Sequence, residues 1–111
     1  MNEIRFKVQG SAAEPYDVVF IQRGLGNLSA YCSCPAGVNG QYCKHRFGIL
    51  EGSVKGVVSG NESEVEVVAS WLPGTDVEAA MKQVAVIEKE AAEIKKKLSA
   101  AKKEVARAMR D

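Results

Sequence analysis

An α+β fold is predicted: a small three-stranded antiparallel sheet plus a helix, followed by a long C-terminal coiled-coil helix. Three observations predict it. Apolar and polar residues alternate near the start of the chain. All three cysteines and the only histidine crowd into residues 32–45. No glycine or proline interrupts residues 75–111.

The first strand follows from Ile4, Phe6 and Val8, which alternate with Arg5, Lys7 and Gln9 at the two-residue period of a strand with one buried face. Residues 10–15 form a loop. Residues 16–22 are more continuously apolar and β-branched, which suits a central strand, and residues 23–27 turn the chain into a third strand over 28–34. Gly24 and Gly26 lack the third glycine of a phosphate loop and open no helix, so a hairpin turn is the reading.

The third strand delivers Cys32 and Cys34, and Cys43 and His45 follow, so that two close pairs face each other across an eight-residue loop. Residues i and i+2 of an extended strand point to the same side, so the first pair can address one ion. Pro35 ends the strand, Gly37, Asn39 and Gly40 supply the turn, and Cys43-Lys44-His45 stands where a helical pattern of Phe47, Ile49 and Leu50 begins. A helix N-terminus favours the thiolate form of cysteine. Three thiolates and one imidazole form a closed tetrahedral set for one structural Zn2+, whereas a catalytic zinc keeps a position open. Buried structural cysteines, a disulfide with a leftover thiol, and a Cys-His nucleophile are the alternatives. The odd cysteine count and the single histidine, two residues from Cys43, weigh against them.

The wording Cys32-Ser33-Cys34-Pro35 with Cys43-Lys44-His45 resembles the SWIM zinc finger over residues 16–50. The resemblance implies that Cys32, Cys34, Cys43 and His45 are the zinc ligands. It also implies a protein-binding or DNA-binding module, since such fingers occur in transposases, chromatin-remodelling ATPases, ubiquitin-pathway proteins and recombination-accessory factors. Arg46 and Phe47 stand where the family more often carries aliphatic residues. The expected domains are residues 1–60, a SWIM-like finger; 61–74, a short helix and hinge; and 75–111, the long helix.

Residues 52–60, with Gly52, Gly56 and Gly60, read as a loose segment. A short helix is expected next, because Val65, Val68, Ala69 and Leu72 recur at helical spacing and Ser63 with Glu66 has the form of a capping box. The alternation of Val65, Val67, Ala69 and Trp71 also permits a strand. Trp71 reads as a core anchor, with a partner contact as the alternative. Pro73 and Gly74 stop the element. A second capping-box pattern, Thr75 with Glu78, opens the long helix, which would extend roughly 54 Å.

Its apolar positions, Val77, Ala80, Val84, Ile87, Ala91, Ile94, Leu98, Ala101, Val105 and Ala108, alternate three and four apart, the seam of a coiled coil. Before Ile94 the helix carries five acidic and two basic residues; from Ile94 onward, seven basic and two acidic. Head-to-tail pairing, with a second copy or with another protein's helix, would set opposite charges together. Opposite the seam, Lys82, Lys89, Lys96, Lys103 and Arg110 form a basic stripe, read either as a solvated face or as a ridge for phosphates or an acidic partner.

Net charge is +1, and residues 1–74 carry six basic and seven acidic side chains, so the finger body is not an electropositive surface. Lys44 and Arg46 are its candidate partner contacts. No apolar run reaches the length of a membrane span, the N-terminus lacks a signal-peptide core, and reduced thiols suit an intracellular site, cytoplasmic or in the nucleoid or nucleus. The sequons at Asn27 and Asn61 are discounted on that ground. The expected function is a zinc-binding, non-catalytic module. It binds a protein partner, DNA or RNA, with no membrane partner, and dimerises or docks through its helix. An adaptor or inhibitor of a nucleic-acid-processing machine, acting by protein contact alone, is the alternative, and a metal or thiol enzyme is the third reading.

Overall fold

The structure is a computed structural model that describes residues 2–24 and 26–110. In order, the elements are β1 (Asn2–Val8), β2 (Tyr16–Gly24), β3 (Asn27–Cys32), α1 (Pro35–Val38), α2 (Lys44–Leu50), a 3-10 turn (Glu62–Glu64), α3 (Val65–Ser70) and α4 (Asp76–Ala108). Their contacts separate into two units, Met1–Glu78 and Ala79–Asp111.

In the first unit the sheet is antiparallel in the order β1-β2-β3, with Phe6 opposite Val18, Phe20 opposite Ala30 and Val18 opposite Cys32. This register puts the even-numbered residues on one face. Phe6, Val8, Val18, Phe20, Leu28 and Cys32 are buried there, and the Phe6 and Phe20 rings meet edge to face with centroids 5.9 Å apart. Ile49 and Leu50 of α2, with Val65 and Val68 of α3, complete the core. The core therefore includes the strand that ends at Cys32 and the helix that begins at Cys43, so burying these side chains also brings the Cys32/Cys34 and Cys43/His45 pairs together.

Four expectations are corrected by the structure. The third strand ends at Cys32, not at residue 34, because Pro35 begins a helix that needs Cys34 as its N-cap. Residues 52–60 are not simply loose. Val57 is buried and bridges to Val8, Gln9 N donates to Gly56 O at 2.7 Å, and Val58 N donates to Lys7 O at 2.8 Å. The segment thereby satisfies part of the outer edge of β1, which would otherwise expose unpaired backbone groups. Gly56 adopts φ +81°, a left-handed conformation that favours glycine. The helix after this segment does form, but Ser63 and Glu66 do not cap it. Asn61 holds its entrance instead, its Nδ2 donating to Arg5 O at 2.9 Å and to Glu64 Oε1 at 3.1 Å. Finally, Glu78 reaches back to the N–H of Gly74 rather than that of Thr75, because Thr75 N already donates to Leu72 O. Thr75 Oγ1 still accepts from Glu78 N at 3.1 Å, as an N-cap should.

Helix α4 is continuous over 33 residues. Of its residues beyond Glu78, Met81 and Val84 are half-buried and the others are exposed, including Ile87, Ile94, Leu98 and Val105 at 51%, 64%, 54% and 56%. Among the described residues no helix is long and apolar enough to cross a membrane.

Candidate metal centre

Three elements bring the four ligand candidates together. Cys32 is the last residue of β3, Cys34 caps α1 and Cys43 immediately precedes α2, with His45 in the first turn of α2. Cys32, Cys34 and Cys43 are buried, His45 is half-buried, and their ligand atoms all lie within 4.8 Å of one another. The cysteines are free thiols.

The spacing can be tested against a bound zinc. Bonds of about 2.3 Å to sulfur and 2.0–2.1 Å to nitrogen, tetrahedrally disposed, require edges of roughly 3.8 Å between sulfurs and 3.6 Å between sulfur and nitrogen. The Cys34 and Cys43 sulfurs are 3.4 Å apart, and His45 Nδ1 lies 3.6 Å from Cys43 Sγ and 3.8 Å from Cys32 Sγ. A disulfide would need sulfurs about 2.05 Å apart. The cluster therefore fits one structural zinc through three sulfurs and Nδ1, as the donor set of thiolates and imidazole also requires.

The backbone prepares the sulfurs for negative charge. Gly37 N donates to Cys34 Sγ at 3.3 Å, and Cys34 N to Cys32 Sγ at 3.5 Å. Burial by itself would raise the Cys43 thiol. The backbone N–H of Arg46, with the side chains of Cys34, Cys32 and His45, outweighs burial and brings the thiol down to about 6. Burial instead pushes Cys32 up to about 12; the N–H of Cys34 offsets this only in part, and neighbouring Cys34 and Cys43 add to the rise. Crowded sulfurs do not all ionise side by side unaided. A dication in their midst removes that penalty and holds coordinating thiols deprotonated.

Several supporting residues carry no sequence signal of their role. The Tyr16 ring lies 5.1 Å from the His45 ring, and a Cβ added at Gly10 would come within 2.7 Å of that tyrosine and 3.2 Å of His45 Nε2. Gly10 is thus the close-packed cover of the histidine. Gly37 packs still more tightly, with its hydrogen pointing at the Cys32 carbonyl. Its place in Pro-Ala-Gly-Val-Asn-Gly reads as ordinary turn chemistry, so only the packing distinguishes it.

The partner-contact candidates are placed differently from one another. Lys44 is exposed and lines two open grooves beside His45, of about 440 and 570 Å³. Arg46 is turned inward: its guanidinium donates to Ala30 O at 3.2 Å and Gln41 O at 2.6 Å, tying β3 to the ligand loop. Its Nε is buried without a partner among the described residues. Trp71 is half-buried at the end of α3, and Tyr42 stacks on Phe47 with centroids 4.3 Å apart. Lys82, Lys89, Lys96 and Lys103 are exposed on α4, and Arg110 is exposed just past its end. Of the positions expected to form a seam, Val77 and Val84 are half-buried, and Ile87, Ile94, Leu98 and Val105 are exposed.

Residues 6–51 match the family model of the SWIM zinc finger. That stretch runs from the second half of β1 through α2 and contains all four ligand candidates, so this part of the chain is a zinc-binding module. Comparison with curated proteins and with solved structures gave no match.

Proposed function

We propose, starting from a SWIM-type finger in residues 6–51, that this chain is a non-catalytic interaction module. Zinc would hold the finger rigid as a recognition surface, and α4 would dimerise it or dock it onto a larger assembly. The partner class is a protein, acting with or without nucleic acid. One observation carries the reading: four ligand atoms within 4.8 Å of one another, drawn from a strand end and two helix starts, offer the three sulfurs and one nitrogen that a tetrahedral zinc takes. An ion so enclosed supplies folding energy and a fixed surface, because the protein itself takes every coordination position.

Alkylation tests this directly. In the zinc-loaded, folded protein the three cysteines should resist iodoacetamide, and they should react together once chelator removes the metal. Rapid modification of one thiol while zinc remains bound would favour a thiol enzyme or a metal site with an open position.

A second reading, contact with DNA or RNA, is favoured by the exposed residues Lys82, Lys89, Lys96 and Lys103 of α4 and Arg110 just past its end, spaced seven apart in the sequence. If phosphates lie along it, affinity should fall steeply with salt, and Lys96→Glu/Lys103→Glu should remove most of it. Binding indifferent to both changes would leave an adaptor or inhibitor that works through protein contact alone.

A further inference from the structure

We infer that the exposed seam of α4 is filled by a second copy of this chain, running antiparallel, in the register that sets Val84 against Ala101. This names the partner of the helix within the reading above and rests on it. From Ile87 onward the seam is bare: Ile87, Ile94, Leu98 and Val105 are each more than half exposed, in a line along the helix, while Val77 and Val84 are half-buried. Apolar side chains repeated at this spacing over five heptads are the pattern of a helix that buries one face against another.

Two independent features of the seam select a reversed copy. The first is size. In a parallel, in-register pair each residue meets itself, so Ala80, Ala91, Ala101 and Ala108 would make four layers of paired alanines, with little area buried. Reversal about the stated register pairs Val77 with Ala108, Ala80 with Val105, Val84 with Ala101, Ile87 with Leu98 and Ala91 with Ile94. Every alanine then meets a β-branched side chain. Alternating small and large residues across a seam fills it evenly, which the parallel arrangement cannot do. This register also engages all ten seam positions, whereas a shift of one heptad either way leaves some unpaired.

The second feature is charge. The acidic first part of α4 would lie on the basic second part of the other copy. Beside the seam, Glu88 would face Lys95 and Glu90 would face Lys97, each twice because the pair is two-fold symmetric. A parallel pair would instead set Lys97 near Lys102. The charge pattern of α4 is thus complementary to itself when reversed, which no unrelated helix needs to be. The arrangement attaches the two finger bodies at opposite ends of the paired helices, with attachment points about 50 Å apart. The assembly would then be bivalent, engaging two sites at once with an avidity that one finger cannot reach.

Lys97→Glu distinguishes the orientations by the sign of its effect. In the full-length, zinc-loaded protein it should weaken dimerisation on the order of tenfold, since two attractive pairs become repulsive. Adding Glu90→Lys should restore it. In a parallel pair the same Lys97→Glu would relieve repulsion and tighten the dimer, which would overturn the proposal. Both residues are good helix formers, so circular dichroism should show unchanged helicity. Sedimentation equilibrium measures the affinities, and native mass separates this inference from its foundation. Two chains with two zinc ions support both. One chain with one zinc, across the micromolar range, overturns self-pairing and leaves the finger reading intact. A dimer without zinc overturns the finger reading alone.

Discussion

Cys43→Ser is expected to release zinc and unfold the finger. Cys43 is only 1% exposed, its sulfur lies 3.4 Å from that of Cys34 and 3.6 Å from His45 Nδ1, and it begins the helix that carries Ile49 and Leu50 into the core. A hydroxyl in its place is far less acidic and a poor partner for zinc, so a thiolate bond is lost and the remaining sulfurs stay crowded. Structural zinc contributes on the order of 10 kcal/mol to folds of this kind, as large as the whole net stability of many domains. Native mass should show the variant without metal, and hydrogen exchange should show the amides of Phe6 and Phe20 unprotected. A variant that kept stoichiometric zinc and the parent's melting temperature would sink the assignment. Acid should act in the same direction, because protons compete for thiolate and imidazole alike; affinity falls as pH falls.

Gly37→Ala is expected to destabilise the finger and weaken its hold on zinc, although it removes no ligand. A Cβ at this position would lie 2.3 Å from the carbonyl oxygen of Cys32, 2.9 Å from its Cβ and 3.0 Å from its carbonyl carbon. These atoms are backbone or adjoin it, so relief requires α1 to move away from β3. That movement separates Cys34 from Cys32 and breaks the Gly37 N–H bond to Cys34 Sγ. Overpacking typically costs 1–3 kcal/mol, and displacement of a ligand places the expected loss at about 3 kcal/mol, with weakened zinc affinity. Gly48→Ala provides the contrast. Nothing lies within 4 Å of its Cβ position and it sits inside α2, so the added methyl should stabilise by about 0.5–1 kcal/mol through helix propensity. Equal melting temperatures for the two variants would refute the close-approach account.

These two residues also mark how far the sequence could be read. Cys43 was legible because metal ligation demands particular side chains, and their spacing is written along one short stretch. The alternation of Ile4, Phe6 and Val8, the central character of β2, the helix after Cys43 and the uninterrupted run of α4 were legible for a related reason. Each is a periodicity local to its own segment. Gly37 was not legible, because its constraint comes from the carbonyl of another element. The same holds for Arg46, whose neighbours in sequence suggest an exposed contact but whose guanidinium closes on Ala30 and Gln41. The short α1 was not legible either, because its N-cap is Cys34, a residue type outside the usual capping set, which accepts from Gly37 N.

The sequence by itself determined the Cys/His cluster, the strand and helix periods and the uninterrupted length of α4, because side-chain chemistry and local hydrophobic pattern are properties of neighbouring residues. Tertiary structure alone decided that residues 52–60 dock on β1, with Val57 opposite Val8, that Asn61 rather than Ser63 holds the entrance to α3, and that Gly37 must have no side chain. The physical reason is that buried backbone groups and close-packed atoms must be satisfied by whatever lies nearest in space. In a chain this small those neighbours are often about fifty residues away, as Val57 is from Val8 and Asn61 from Arg5.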